Sequence, residues 1–285
     1  MSNYTKSYFD ESNTNHSWYK AYTLIAANSK VLDVGCSSGN FGEVLIKRKN
    51  CVVDGIELDK DDVKRAAKKL HRVYRLNVES DSLLRLKDKY DYLYFGDVIE
   101  HLFNPLATLK KVKSLLKPNG SIIFSIPNMG HISVRLELLK GNFEYTETGL
   151  LDKTHIRFFT LDEVKRVFNE SGYAVEKLDY VEKDYPKKLI DQILTKQGLK
   201  ANNKFYEMAA QPAASAFQFI GEAKANTAIK AKPLKQYGPV DHFETFYNDT
   251  VDSYKMQLEQ KNKLIEELEN RKTLNQKVIL RLRKK

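Results

Sequence analysis

Short runs of β-branched and other apolar residues alternate along the chain with segments that carry apolar residues at helical spacing. Strands separated by helices are typical of a mostly parallel sheet, because each parallel connection must be long enough to cross back over the sheet. The pattern therefore predicts an α/β fold in which helices cover both faces of the sheet. The strand-like runs lie at residues 30–35, 51–58, 90–96, 120–127, 173–181 and 215–223.

Four segments between these runs have helical patterns. The last of them begins with Thr160, has Glu163 three residues later, and is followed by Gly172. Thr and Glu at this spacing form a capping box, and a glycine is a common helix C-terminal stop. The predicted helices are residues 40–49, 60–70, 105–117 and 160–172.

The strand pattern ends near residue 226, so residues 1–226 are predicted to form one globular domain with a helical insertion at 185–212. Residues 227–242 contain two prolines and scattered lysines, which is typical of a linker. Residues 243–285 have apolar residues at steps of three and four, which predicts a C-terminal coiled-coil helix. The alternative is a lone amphipathic helix that packs on its own domain.

The charge and the composition of the chain bear on where in the cell the protein is expected. The net charge of +10 would suit a polyanion or a membrane surface, or it reflects lysines that keep helices soluble. The N-terminal residues lack a signal-peptide pattern, and no run approaches the ~18–20 apolar residues of a membrane span. We therefore expect a cytoplasmic protein, with peripheral attachment at the inner face of the membrane as an extension. The two cysteines, Cys36 and Cys51, are expected to be reduced.

The stretch VLDVGCSSGNFG, residues 31–42, predicts a strand, a glycine turn and the start of a helix. Gly35 and Gly39 permit a tight turn and a close approach of ligand to backbone, and the helix start offers free N–H groups. In the dinucleotide fingerprint only one residue separates the first two glycines, whereas three separate them here. A ligand with a pyrophosphate is therefore not favoured.

At these residues the chain resembles the class I S-adenosylmethionine-dependent methyltransferases, whose first motif has the form (V/I)LD(V/I)GCGxGxxG. GIELD, residues 55–59, and YDYLYFGDVIEHLFNP, residues 90–105, continue the resemblance in order. Ser37 or Ser38 stands near a position that is often glycine in the family. The resemblance covers about residues 20–225 and implies a Rossmann-like, doubly wound, mostly parallel seven-stranded sheet. The predicted coiled coil lies outside it.

The resemblance also implies S-adenosylmethionine as the cofactor. Asp33 would hold the cationic methionine part, Glu57 would accept hydrogen bonds from both ribose hydroxyls, and Asn77 would lie near the adenine. No metal is expected, because the acids and histidines have no ligand spacing in the sequence. The residues expected to bind the cofactor are Asp33, Gly35, Cys36, Gly39, Glu57, Leu58, Asn77, Val78, Asp97, Val98 and His101.

The family places residues 127–160 over the methyl group, where GLLDKTHIRFF, residues 149–159, is rich in polar side chains. A hydroxyl acceptor needs a base, and an unperturbed imidazole titrates near pH 6.5. His155 is the first candidate for this base, with Asp152 to orient it. His131 is the second candidate.

His101 is a third candidate base, whereas Glu100 is interpreted as a charge at a helix N-terminus. Arg157 is a candidate contact for an acidic acceptor group, and Tyr145 is a second candidate contact for the substrate. The alternative is that the stretch only anchors a loop. At the other end of the domain, the aromatic side chains either line the cofactor pocket or pack in the core. They are Tyr8, His16, Trp18 and Tyr19.

Residues 125–164 look like a large bacterial subgroup, many of whose members act in cell-surface polysaccharide or sugar biosynthesis. We therefore expect methyl transfer from S-adenosylmethionine to a hydroxyl of a sugar or glycan intermediate, with the coiled coil for oligomerisation or docking. The expected partners are a glycan or small-molecule acceptor, a second copy of the chain and a membrane-associated glycan assembly protein; DNA is not expected. The alternatives are methylation of RNA or of another small molecule, and a non-catalytic scaffold with a cofactor-binding head. An Asn-Pro-Pro-Tyr signature of base-amine methylation is absent, and GDVIEH stands in its place.

Overall fold

A computed structural model of the 285-residue chain describes residues 9–225. Tyr8, the predicted linker and the predicted coiled coil lie outside these residues, so what the sequence suggests about them stays a prediction. Within the described range, no helix combines the length and the apolar character needed to cross a membrane.

A seven-stranded sheet forms the centre of the domain, in the order β3-β2-β1-β4-β5-β7-β6. Strand β7 runs antiparallel to both of its neighbours, and the pairings among β1 to β5 are parallel. The prediction of a Rossmann-like, mostly parallel sheet is therefore confirmed. The strands are β1 Lys30–Val34, β2 Val52–Glu57, β3 Arg72–Arg75, β4 Tyr90–Gly96, β5 Leu116–Pro127, β6 Tyr173–Glu182 and β7 Ala216–Ala225.

Helices connect most of these strands. The predicted cap is present in α6, where the Thr160 side chain accepts a hydrogen bond from the N–H of Glu163 at 3.4 Å. The insertion before β7 contributes α7 to α9, and α7 packs its apolar side chains against α5. The helices are α1 Ser17–Leu24, α2 Asn40–Lys49, α3 Lys60–Ala66, α4 Pro105–Val112, α5 Ile132–Leu139, α6 Leu161–Glu170, α7 Lys187–Lys196, α8 Asn203–Ala209 and α9 Pro212–Ser215.

The sequence pattern missed β3 and extended one helix too far. Strand β3 is a short edge strand whose side chains are half-buried or exposed, so it lacks an apolar run. The helix predicted over residues 105–117 ends as α4 at Val112, because Leu116 already pairs with Tyr90 and begins β5. Tertiary pairing here outweighs the helical spacing of the apolar residues.

Two apolar clusters cover the two faces of the sheet. Along β1, Val31 belongs to one cluster and Leu32 to the other, as alternation along a strand requires. Phe41 of α2 packs on the first face, and Phe168 of α6 packs on the second. The sheet is thus buried on both sides, and the carboxyl ends of β1, β2 and β4 meet at one edge, where open α/β sheets bind ligands.

Candidate active site

The glycine turn after β1 has an unusual backbone. Gly35, Ser37 and Gly39 have φ angles of 70°, 46° and 77°, in the left-handed region that L side chains rarely adopt. A Cβ atom at Gly35 would also lie 2.7 Å from Cγ2 of Val98, so glycine is required there for space as well. Ser37 is held in its strained conformation by its N–H, which donates to Oε2 of Glu57 at 2.8 Å.

Glu57 is fixed at the end of β2 by backbone donors. Its Oε2 accepts from Ser37, and its Oε1 accepts from the N–H groups of Leu58 and Asp59 at 2.7 and 2.9 Å. The carboxylate is therefore oriented by the chain itself and lines the pocket above the strand ends. A carboxylate at this position suits the two hydroxyls of a ribose.

The pocket beside the glycine turn has a volume of about 290 Å³. Five residues that the sequence predicted for the cofactor line it, together with others that the sequence did not single out. Tyr94 is one of these: the side chain is buried within β4, and the burial pattern of a strand does not show which tyrosine faces a ligand. The lining residues are Trp18, Asp33, Gly35, Cys36, Ser37, Ser38, Asn40, Phe41, Glu57, Asp59, Asp62, Tyr94, Gly96 and Asp97.

Buried carboxylates in the pocket favour the binding of a cation. Burial raises the pKa of Asp33 to about 7, and the nearby charge of Glu57 adds to the rise. Burial also raises the pKa of Asp97, and the buried Oη of Tyr94 has no hydrogen-bond partner among the described residues. A ligand that carries a positive charge and hydrogen-bonding groups would neutralise the carboxylates and pair this hydroxyl.

Asp33 should make cofactor binding depend on pH. Only the ionised carboxylate attracts a cation, and a folded-state pKa of about 7 means that the free protein takes up this proton as pH falls through 7. We expect affinity for S-adenosylhomocysteine to be roughly fivefold lower at pH 6 than at pH 7, from the ionised fractions at the two values. Calorimetric titration at both values measures this, and Asp33→Asn should bind weakly with a flat profile. An equally steep profile in Asp33→Asn would assign the proton to another group.

The remaining predicted cofactor residues lie around the pocket rather than among its lining residues. Gly39 is the N-cap of α2, and Leu58 is 58% exposed beside Glu57. Asn77 accepts hydrogen bonds from the N–H groups of Glu79 and Ser80 and closes the turn after β3. Val78 is buried in the core, and Val98 packs toward Gly35. Their contacts with a cofactor stay predictions.

Asp97 begins the loop between β4 and α4, with φ of 56°. Its Oδ1 accepts from Oγ of Ser125 at 3.1 Å and from the amide of Gln218. These bonds secure a strained residue at the edge of the pocket. The loop continues into a short 3₁₀ turn, Ile99–His101.

Glu100 is fully buried in this turn, which corrects its interpretation as a helix N-terminal charge. The side chain is 1% exposed, and neither carboxylate oxygen has a hydrogen-bond partner in the described part of the chain. Burial, together with the charge of Asp97, raises its pKa well above the ordinary value. A buried glutamate without partners is rare, so Glu100 is a candidate functional residue, which the sequence did not indicate.

Two predicted histidines flank Glu100. His155 is buried, its Nδ1 lies 3.2 Å from the carbonyl oxygen of Leu150, and its Nε2 lies 3.9 Å from Oε1 of Glu100. His101 is half-buried, with its ring centroid 4.9 Å from that of His155. Burial lowers the pKa of His155, so the imidazole is neutral near pH 7.

His131 lies elsewhere, as the N-cap of α5. Its Nδ1 accepts from the N–H of Ser133, its Nε2 is 3.3 Å from the carbonyl oxygen of Lys183, and its side chain does not line the cofactor pocket. Both ring nitrogens therefore have structural partners, and a role for His131 as a base stays a prediction with little geometric support.

The other residues predicted to orient the base or to contact the acceptor lie within residues 145–157. Asp152 accepts hydrogen bonds from the N–H and the hydroxyl of Thr154 at 2.8 and 2.7 Å. Arg157 donates through its guanidinium to the carbonyl oxygen of Phe103 and so ties the segment to the loop after β4. Tyr145 is 54% exposed. Their contacts with an acceptor stay predictions.

The aromatic side chains near the N-terminus were expected either to line the cofactor pocket or to pack in the core. Trp18 of α1 lines the cofactor pocket and packs against Phe41 with ring centroids 5.6 Å apart. His16 caps α1 by accepting from the N–H of Trp18 at 3.1 Å. Helix α1 therefore closes one side of the pocket.

The fold and the pocket together define a Rossmann-like domain whose pocket suits a nucleoside with a cationic group. S-adenosylmethionine fits these residues, since Glu57 can accept from ribose hydroxyls and Asp33 and Asp97 suit the cationic methionine part. A family model described as a methyltransferase domain matches residues 13–178. The chain belongs to this family, and the domain is a class I methyltransferase domain whose cofactor is S-adenosylmethionine.

Curated relatives are similar over part of their length. A ubiquinone biosynthesis O-methyltransferase from Chromobacterium violaceum is 29% identical over 161 residues, which are 53% of this chain and 67% of that protein. The enzyme of the same name from Vibrio campbellii is 30% identical over 106 residues, 35% of this chain and 44% of that protein. The match thus spans 44% to 67% of the length of these relatives.

Solved structures agree in fold. An S-adenosylmethionine-dependent methyltransferase from Archaeoglobus fulgidus has a TM-score of 0.50 at 19% identity, covering 72% of this chain and 89% of that one. The [4+2]-cyclase SpnF has a TM-score of 0.50 at 12% identity, covering 75% and 82%. Because a protein named as a cyclase shares the fold, the fold alone does not identify an acceptor.

Proposed function

We propose that the protein transfers the methyl group of S-adenosylmethionine to a hydroxyl, with a sugar or glycan intermediate as the first acceptor class. The observation that carries this proposal is the cluster of buried Glu100 and His155 and half-buried His101 beside the cofactor pocket. A hydroxyl must lose its proton during transfer, whereas a neutral amine can attack without help. A site with imidazole and carboxylate groups on the acceptor side therefore supports an oxygen acceptor.

The bound cofactor supplies a methyl group on a sulfonium, whose C–S bond breaks with its electron pair retained by sulfur. The protein holds the acceptor oxygen in line, so that its lone pair forms the new O–C bond. Nδ1 of His155 faces the carbonyl oxygen of Leu150 and must carry its proton there, so Nε2 has a lone pair. In this proposal Nε2 of His155 is the candidate to accept the hydroxyl proton.

A phenolic hydroxyl is the second candidate acceptor. Phe143 contacts Tyr145 and Phe158 edge-on, with ring centroids 5.4 and 5.8 Å apart, and all three side chains are 39–54% exposed. Exposed aromatic rings on the acceptor side can pack against the ring of a substrate. The two relatives named ubiquinone biosynthesis O-methyltransferases support an oxygen acceptor.

A transfer assay with labelled S-adenosylmethionine separates these acceptors. The panel contains sugar nucleotides and oligosaccharides, catechols, RNA, and matched amino compounds, and Glu57→Ala serves as the inactive control. We expect a methyl ether on a hydroxyl acceptor, identified by mass spectrometry. Product from catechols alone would select the second candidate, and product from amines or RNA alone would contradict both.

We also propose that residues 243–285 mediate self-association of the protein. The protein would then dock beside a membrane-associated glycan assembly protein. The heptad pattern and the basic end RLRKK support them. Light scattering on the intact chain tests the first, and a monodisperse monomer would contradict it.

A further inference from the structure

Three potential metal ligands from two separate segments meet beside the cofactor pocket. Glu100 and His101 lie in the 3₁₀ turn after β4, and His155 lies in the segment before α6. One ligand atom from each residue lies within 4.8 Å of the others. The N–H groups of Ile156 and Arg157 both donate to the carbonyl oxygen of Glu100 at 3.0 Å, so the backbone holds the two segments together.

The hydrogen bonds of the histidines fix which nitrogen is available. Nδ1 of His101 lies 3.0 Å from the carbonyl oxygen of Thr154, and Nδ1 of His155 lies 3.2 Å from that of Leu150. A carbonyl only accepts, so each Nδ1 carries the proton and each Nε2 presents a lone pair. Histidines that bind metals are commonly oriented in this way by a backbone carbonyl.

The carboxylate of Glu100 is the third potential metal ligand. Both of its oxygens are buried without a hydrogen-bond partner in the described residues, and Oε1 lies 3.9 Å from Nε2 of His155. This distance is too long for a hydrogen bond. Nε2 of His155 and Oε1 of Glu100 are therefore two potential ligand atoms that lie close together and are not bonded to each other.

We propose that Glu100, His101 and His155 bind one divalent transition-metal ion of the Zn²⁺ or Co²⁺ type. Two imidazoles and one carboxylate suit such ions, whereas Mg²⁺ and Ca²⁺ prefer oxygen ligands. Ligand atoms about 2.0–2.1 Å from an ion lie roughly 3.0–3.5 Å apart. The 3.9 Å gap therefore closes by less than about 1 Å on binding, and separations of up to 4.8 Å within the set close by less than about 2 Å. The sequence suggested no metal because spacing along the chain is a poor guide when the fold brings distant residues together.

The role of this ion in the reaction rests on the proposed hydroxyl acceptor. Three protein ligands leave an open coordination position, as in catalytic zinc sites. An acceptor hydroxyl at this position has a lower pKa, so its proton leaves to solvent water while the oxygen lone pair attacks the methyl carbon. His155 is then a ligand and not the base, because its Nε2 lone pair is occupied by the ion.

Metal binding is tested without any acceptor. Tag-free, chelator-treated full-length protein is titrated with Zn²⁺ by calorimetry and with Co²⁺ by visible absorption. We expect one ion per chain, and at least about 100-fold weaker binding in Glu100→Gln and in His155→Asn, since each variant loses one ligand. His71→Asn, which removes a histidine paired with Asp54 outside the cluster, should bind the ion like the wild type.

Each variant must also bind S-adenosylhomocysteine like the wild type, which shows that its pocket is folded. A wild-type protein that binds S-adenosylhomocysteine but takes up no Zn²⁺ or Co²⁺ would overturn the proposal. Equal metal affinity in Glu100→Gln, His155→Asn and the wild type would overturn it as well.

A methyl-transfer assay in the presence and absence of chelator separates the two proposals. If the ion binds and no hydroxyl is methylated, the metal site stands and the proposed function fails. If a hydroxyl is methylated equally well with chelator and by Glu100→Gln, the proposed function stands and the ion has no role in it. We expect chelator to abolish transfer and Zn²⁺ or Co²⁺ to restore it.

Discussion

Glu57→Ala is expected to bind S-adenosylhomocysteine about 100-fold more weakly than the wild type. Hydrogen bonds to a charged group contribute about 1.5–3 kcal/mol each, and the carboxylate at the end of β2 can accept two from a ribose. A loss of about 3 kcal/mol corresponds to roughly 100-fold, since each 1.4 kcal/mol is a factor of ten. Calorimetric titration measures the affinity directly.

The variant also removes the acceptor of three backbone N–H groups, from Ser37, Leu58 and Asp59. Glu57→Gln keeps one carbonyl oxygen of the same shape and should lose only about tenfold. Glu170→Ala, which removes a surface glutamate paired with Arg166 on α6, serves as the matched control and should bind normally. Unchanged affinity in Glu57→Ala would contradict the assigned ribose contact. Failure of the folded wild type to bind would instead favour the scaffold hypothesis.

The largest loss of stability is expected for Phe124→Ala. Phe124 lies in β5 near the centre of the sheet, is fully buried, and packs on Phe168 with ring centroids 4.4 Å apart. Truncation of a buried phenylalanine leaves a cavity and costs about 3–5 kcal/mol of unfolding free energy. The surrounding sheet cannot collapse into the gap, because β5 is hydrogen-bonded to β4 and β7 on both sides.

Urea-induced unfolding followed by circular dichroism measures this change. The matched control is Phe158→Ala, whose side chain is 40% exposed and should contribute less than about 1 kcal/mol. Equal losses in the two variants would show that Phe124 is not part of a rigid core. Phe158→Ala should also keep its affinity for S-adenosylhomocysteine, because Phe158 does not line the cofactor pocket.

The sequence predicted five of the residues that line the pocket beside the glycine turn. The glycine turn and Glu57 follow strands β1 and β2 directly, and a short motif at a strand end fixes its own backbone geometry. The sequence did not indicate Tyr94, since every second residue of a buried strand points to the same face and the sequence does not show which position lines the pocket. Strand β3 was missed because an edge strand needs no apolar run.

The cluster of Glu100, His101 and His155 depends on long-range folding. Glu100 reads in the sequence as an ordinary charge near a helix start, and only the structure shows it buried without partners beside His155. Likewise, His131 and His155 look equivalent in the sequence, yet one caps α5 and the other faces Glu100.

The sequence by itself thus indicated six of the seven strands and the glycine turn, because these depend on local periodicity and on residues close together in the chain. The resemblance of its motifs to the methyltransferase family indicated the cofactor. The tertiary structure alone decided which acids and histidines meet. The physical reason is that the segment before α6 returns across the loop after β4 and is held there by backbone hydrogen bonds to Glu100, a pairing that no spacing in the chain encodes.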